Sequence, residues 1–185
     1  IVELVVPATE YVPSYLAALE QGWAFDAFFT GGAANALDLA RNSPELLVET
    51  LLSKAVGTVA LPNGDPVPRL PSTMRWMWDG EFAGSINVRW QLGSTHLPAY
   101  VLGHIGYGVV DARQGRGYAT SALSQMLPIA WDSGLPCVEL TTVFDNVASQ
   151  RVIINNGGVF VEEFIAPPEQ GSHQMLRWRI DGPGN

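Results

Sequence analysis

The segment from Val101 to Asp132 constrains this chain more than any other. It reads as a strand (Val101–Val110), a turn with glycines at 115 and 117, and a helix from about Gly117 to Trp131. A second strand, Pro136–Phe144, follows the glycine that should end that helix, Gly134. A strand, a crossover helix and a second strand form a right-handed unit with the helix on one face. The two strands are therefore expected to be parallel neighbours. Pro128 should kink the helix or end its regular part, because proline lacks the N–H that the helix requires.

Around this unit the periodicity alternates between helix and strand. A short strand (Leu4–Val6) precedes a helix over Val12–Glu20, with Pro13 in its first turn, where proline is tolerated. Gly22–Asn35 carries Phe25, Phe28 and Phe29 and reads as a packed loop. Pro44–Ala55 has helical spacing of Leu46, Leu47, Thr50, Leu51 and Lys54. Leu61–Pro71, with four prolines, reads as a surface connection. Thr73–Trp78 and Phe82–Trp90 alternate with period two about Asp79-Gly80, a hairpin signal. Trp76 and Trp78 share a face by parity and are expected in the core, while Asp79 and Glu81 are expected to be solvated. Gln91–Tyr100 is a loop, Val147–Asn155 a helix closed by Asn156-Gly157-Gly158, and Val159–Ile165 and Gln174–Ile180 are the last strands. The fold class is mixed α and β, in a single domain over 1–185.

Composition narrows the function classes. The chain has 185 residues, 47% of them hydrophobic, enough for a core that needs no metal or disulfide staple. Ten basic residues stand against eighteen acidic ones, a formal charge of −8 that argues against general nucleic-acid binding. No apolar run approaches the ~20 residues that span a bilayer, and the first residues lack the basic region of a secretory signal. One cysteine, Cys137, permits no internal disulfide and fits a reducing, cytoplasmic setting. The three histidines (His96, His104, His173) and Cys137 show no metal-ligand spacing, so no metal is expected.

The turn at 108–120 is where chemistry is expected. Its glycines can take positive φ, and the first N–H groups of the following helix are unpaired and favour an anion. Arg113 and Arg116 bracket it. The run lacks G-x-x-x-x-G-K-[ST], and Gly115-x-Gly117-x-x-Thr120 lacks the third glycine of a dinucleotide fingerprint. A phosphate cradle and a plain β–α turn both remain open on these residues alone.

Gln114-Gly115-Arg116-Gly117-Tyr118-Ala119 resembles the Q/R-x-x-G-x-G/A signature of the GCN5-related N-acetyltransferases (GNAT). The run Asp145-Asn146-Val147-Ala148-Ser149, continuing to Asn156-Gly157-Gly158, is similar to that family's second block. The likeness covers roughly residues 70–180, and its pattern is nearest the branch that includes ribosomal-protein N-terminal acetyltransferases. It implies a mostly antiparallel twisted sheet with a central parallel strand pair, and a coenzyme-binding core over about residues 100–160. It implies acetyl-CoA as acyl donor, held by Tyr107, Gly108, Val109 and Val110 on the strand. The turn would contribute Gln114, Gly115, Arg116, Gly117, Tyr118, Ala119 and Thr120, and the second block Asn146 and Ser149. Asn146 and Ser149 also read as ordinary helix capping.

The implied activity is direct acetyl transfer to a primary amine, the acceptor partner, on a small molecule or a protein N-terminus. No nucleic-acid or membrane partner is implied, and a homodimer is left open. Many family members carry a tyrosine acid in the second block where this chain has Ile153. His104, where relatives often carry a glutamate, is then the candidate catalytic proton acceptor, beside its alternative as a structural strand histidine. The absent tyrosine also leaves a non-catalytic acyl-CoA-binding or sensing module as the alternative.

Overall fold

The computed structural model describes residues 1–24, 32–53, 57–61 and 63–184. Nine strands and five α-helices run along these residues: β1 Glu3–Val5, α1 Val12–Glu20, α2 Gly32–Asn42, α3 Pro44–Leu52, β2 Thr58–Ala60, β3 Pro66–Pro68, β4 Ser72–Trp78, β5 Phe82–Arg89, β6 Ile105–Val109, α4 Tyr118–Asp132, β7 Cys137–Val143, α5 Val147–Asn155, β8 Val159–Ile165 and β9 Gln174–Asp181. One sheet has the order β1-β4-β5-β6, and a second has the order β7-β9-β8. Every paired strand in both is antiparallel.

Two apolar clusters sit on the two faces of the first sheet. α4 buries Ala122, Leu123, Met126 and Ala130, and these pack with Met77, Ile86, Val88, Val138 and Ile180. That spacing is one helical face. On the opposite face, Tyr15 of α1 stacks on Trp76 at 4.6 Å, and Leu47 of α3 and Phe82 complete the cluster. Trp76 is buried and Trp78 packs against the same cluster, as their parity requires.

Where sequence and structure differ, the reasons are local. α2 falls partly inside the expected loop; it buries Ala36 and Ala40, residues too small to mark a hydrophobic stripe. Phe25, Phe28 and Phe29, like Lys54 and Ala55, lie outside the described residues. The proline-rich connection supplies β3, which pairs with β2 just before it, Pro68 opposite Thr58 and Pro66 opposite Ala60. A two-stranded ribbon tolerates prolines that a central strand would not. α4 continues past Pro128 to Asp132 and ends at Gly134, which has φ 90°.

The expected strand over Val101–Val110 is shortened to β6. The carbonyls of Leu102 and Gly103 are taken by the guanidiniums of Arg177 (3.1 Å) and Arg89 (2.7 Å), not by a neighbouring strand. β6 and β7 meet only where they begin. His104 N–H donates to Glu139 O at 2.7 Å, and Glu139 N–H donates to the His104 ring at Nδ1, 2.9 Å. The imidazole takes the Glu139 N–H in place of the Leu102 carbonyl, and β6 and β7 belong to separate sheets.

Candidate functional site

A cleft of about 1070 Å³ lies between β6, the turn before α4, the first turns of α5, and α1. From β6 it is lined by Tyr107, Gly108 and Val109, with Val110 following. From the turn and α4 come Gln114, Gly115, Gly117, Tyr118, Ala119 and Thr120. Asn146 and Ser149 line it from α5. These sequence-predicted positions thus meet around one space. Arg116 is exposed and outside the lining, and His104 is buried away from it.

The turn is held open by backbone geometry. Gly115 and Gly117 have φ of 73° and 78°, the left-handed region where a side chain is strained. A Cβ at either position would project into open space, so conformation rather than crowding demands glycine. Gly117 is the residue before α4, and the N–H groups of 118–120 open the helix. Those first-turn donors have no acceptor within the helix itself. Ser121 is the first to bond back, to Gly117 O at 3.0 Å. The result is a run of free donors at the positive end of a fifteen-residue helix, a geometry that suits a phosphate.

An ion-pair network, which sequence reasoning missed, fixes this turn to the β4–β5 hairpin. Arg113 Nε donates to Asp79 Oδ2 at 2.7 Å, and its Nη2 donates to Glu81 Oε2 at 2.7 Å. Tyr118 OH donates to the same Asp79 oxygen at 2.8 Å. Asp79 is therefore partnered and largely buried, contrary to the solvated turn residue expected. The Arg113 guanidinium holds the Asp79 carboxyl down at about 2, and Asp79 in turn raises the Tyr118 phenol. Arg113 is spent on this brace and is not free for an anion. Gln114 also braces the turn, donating to Val109 O (3.2 Å) and Asp111 Oδ1 (3.0 Å).

Across the division between β6 and α5, Tyr107 OH and Ser149 Oγ lie 2.7 Å apart. Burial pushes the Tyr107 phenol up to about 12, so it stays protonated at neutral pH. Asn146 caps α5, its Oδ1 accepting the Ser149 N–H at 3.1 Å, while also lining the cleft. The capping and lining readings of Asn146 thus coexist. Ile153 is buried in the core and offers no proton.

His104, read from sequence as either a proton acceptor or a structural strand histidine, sits outside the cleft lining. It is 2% exposed, its Nδ1 accepts the Glu139 N–H, and Nε2 lies 3.3 Å from Thr95 O. An Nδ1 that accepts leaves the ring proton on Nε2, directed at Thr95. Burial pushes its pKa below the usual imidazole value. Both ring nitrogens are occupied by backbone, and the cleft lining does not include it. Among the described residues, no group of three or more His, Cys, Asp and Glu is placed to hold a metal ion. No helix among them is long and apolar enough to cross a membrane.

Comparison with known proteins gives the arrangement its context. None of the curated proteins matches the sequence. Among solved structures, the microcin C7 self-immunity acetyltransferase MccE, in complex with acetyl-CoA and AMP, is similar with a TM-score of 0.61 and 15% identity, over 98% of this chain and 92% of that one. RimL, a ribosomal L7/L12 α-N-protein acetyltransferase in complex with coenzyme A, gives 0.62 and 14%, over 100% and 96%. The Salmonella typhimurium acetyltransferase that modifies the N-terminal serine of ribosomal protein L7/L12 gives 0.58 and 15%, over 98% and 95%. At these identities the likeness is one of fold. The model of the acetyltransferase (GNAT) domain matches residues 66–159, just over half of the chain and the whole of the turn, α4 and α5. The protein belongs to the GNAT acetyltransferase family.

Proposed function

We propose that the protein transfers an acetyl group from acetyl-CoA directly to a primary amine, on a small molecule or a protein N-terminus. One observation carries the reading. Free backbone donors of the 115–120 turn and the Tyr107–Ser149 hydroxyl pair open onto the same cleft. The donors fit the pyrophosphate of coenzyme A. The left-handed glycines keep Cβ atoms out of its path, and the exposed Arg151 adds positive charge to the lining. Asn146 and Ser149, one helical turn apart, line the cleft beside the edge of β6 that does not pair with β5.

Acetyl-CoA supplies an activated acyl group on a thiol leaving group. The chain must supply a proton at that sulfur and hold the carbonyl near β6. Ser149 Oγ is the proton source proposed, with Tyr107 OH bonded to it to replenish the proton, while the proton lost by the amine nitrogen as the amide forms passes to water. This pair takes the place of the family tyrosine that is Ile153 here. His104 is given a structural role, holding the starts of β6 and β7 together. The single cysteine, Cys137, suits a cytoplasmic setting.

The burial of Ile153 favours one rival, a module that binds acyl-CoA without turnover. Thiol release from acetyl-CoA, measured with and without a panel of primary amines, separates the two. Release that depends on an amine supports transfer. Tight binding with no amine-dependent release supports the module.

A further inference from the structure

Asn87 stands in the middle of β5, paired with Met74 on β4 and Gly106 on β6. It is fully buried, and among the described residues neither Nδ2 nor Oδ1 has a hydrogen-bond partner. A carboxamide buried without partners is unfavourable, and an apolar residue of its size would serve the sheet better. Among the described residues nothing satisfies this group, and a buried polar side chain without a partner calls for an explanation.

Its position suggests what. Asn87 shares a face of the sheet with Ser85, and their partners on β6, Gly106 and Gly108, bring no side chain to that face. Gly108 lines the cleft, and Asn87, buried and outside that lining, lies one residue pair further along, about 7 Å at strand spacing. The alternate face of β6 carries Tyr107, bonded to Ser149. The hydroxyl pair and the Asn87 amide thus approach β6 from opposite sides.

We propose that Asn87 binds the acceptor, an inference that rests on the acetyl-transfer reading above. Its Oδ1 accepts an N–H of the neutral amine, and its Nδ2 donates to an oxygen close to that amine. The pattern fits an α-amino carbonyl compound: an amino-acid amide or a peptide N-terminus. An amine without such an oxygen would leave Nδ2 buried and unpaired.

The test compares wild type with Asn87→Leu, using alaninamide and its oxygen-free isostere 1,2-dimethylpropylamine as acceptors. Wild type should prefer alaninamide. N87L should raise its KM on the order of tenfold or more and erase the preference, with the acetyl-CoA Kd unchanged. N87L should also melt at the same temperature as wild type or higher, because no native hydrogen bond is lost. Unchanged KM, or a lowered melting temperature with KM unchanged, overturns the assignment. So does failure of wild type to acetylate either amine while binding acetyl-CoA normally. Failure to bind acetyl-CoA overturns the underlying reading instead, and the melting comparison still reports on Asn87. Should N87L not fold, N87A, which cannot clash, carries the kinetic readout.

Discussion

His104 and Glu139 exchange two hydrogen bonds, one through backbone and one through a side chain: His104 N–H to Glu139 O at 2.7 Å, and Glu139 N–H to His104 Nδ1 at 2.9 Å. These two bonds tie the start of β6 to β7, strands that otherwise lie in separate sheets. Beyond that point the first sheet and the second separate, and α5 presents Ser149 to Tyr107 across the division.

His104→Ala should destabilise the protein by about 2–3 kcal/mol, from a buried cavity and an orphaned Glu139 N–H. The pH dependence has a definite sign. Burial depresses the folded pKa, so the unfolded chain binds the proton more readily. Stability should be full above the unfolded value near 6.5 and fall as pH drops from there toward the folded pKa. Urea unfolding at pH 7.5 and 5.5 checks this: the loss at pH 5.5 should shrink in H104A. In kinetics, H104Q should retain the wild-type inflection of kcat/KM with pH. An inflection that vanishes in H104Q would restore His104 as the base.

The brace at Asp79 should matter to the turn as much as to stability. Arg113→Ala should cost about 1–2 kcal/mol, because the pair is largely buried and doubly bonded. It should also raise the KM for acetyl-CoA, since the turn loses its tie to the hairpin. With the Asp79 pKa held near 2, its contribution is present above the ordinary carboxylate value near 3.8 and is lost as pH falls from there through about 2. Tyr118→Phe removes one bond of the network and should have the smaller effect. Thermal melts of both variants at neutral pH and at pH 3 test the order.

Ser149→Ala should lower kcat on the order of 10²-fold with little change in acetyl-CoA affinity, if its hydroxyl delivers the proton. Tyr107→Phe should lower it less, because Ser149 keeps its own proton. The high Tyr107 pKa means that no loss of rate from tyrosine ionisation should appear below about pH 11. Asn146→Ala should cost ~1 kcal/mol of stability through the lost cap. Melting curves and steady-state kinetics on the three variants separate capping from chemistry.

Much of this architecture was legible in the sequence. The bounds of α1, α5 and β8 follow from periodicity and from glycine and proline punctuation, and the turn at 114–120 is local in sequence. Pairings between distant segments were not legible. Asp79 looks like a hairpin residue until Arg113 arrives from another loop, and His104 reads equally as a proton acceptor or a strand histidine until Glu139 takes its Nδ1. Asn87 gives no sequence signal, because its meaning lies in having no partner. α2 escaped notice because alanine makes a helix without marking its buried face.

Calorimetric titration of acetyl-CoA into wild type and Gly117→Asp tests the central claim most directly. The aspartate would stand at a left-handed position and point its charge into the open space beside the free donors of α4. Wild type should bind one acetyl-CoA per chain. The variant, shown to be folded by circular dichroism, should bind at least a hundredfold more weakly, about 2.7 kcal/mol. Equal affinity in a folded G117D would contradict the account, because the anion would then be held elsewhere.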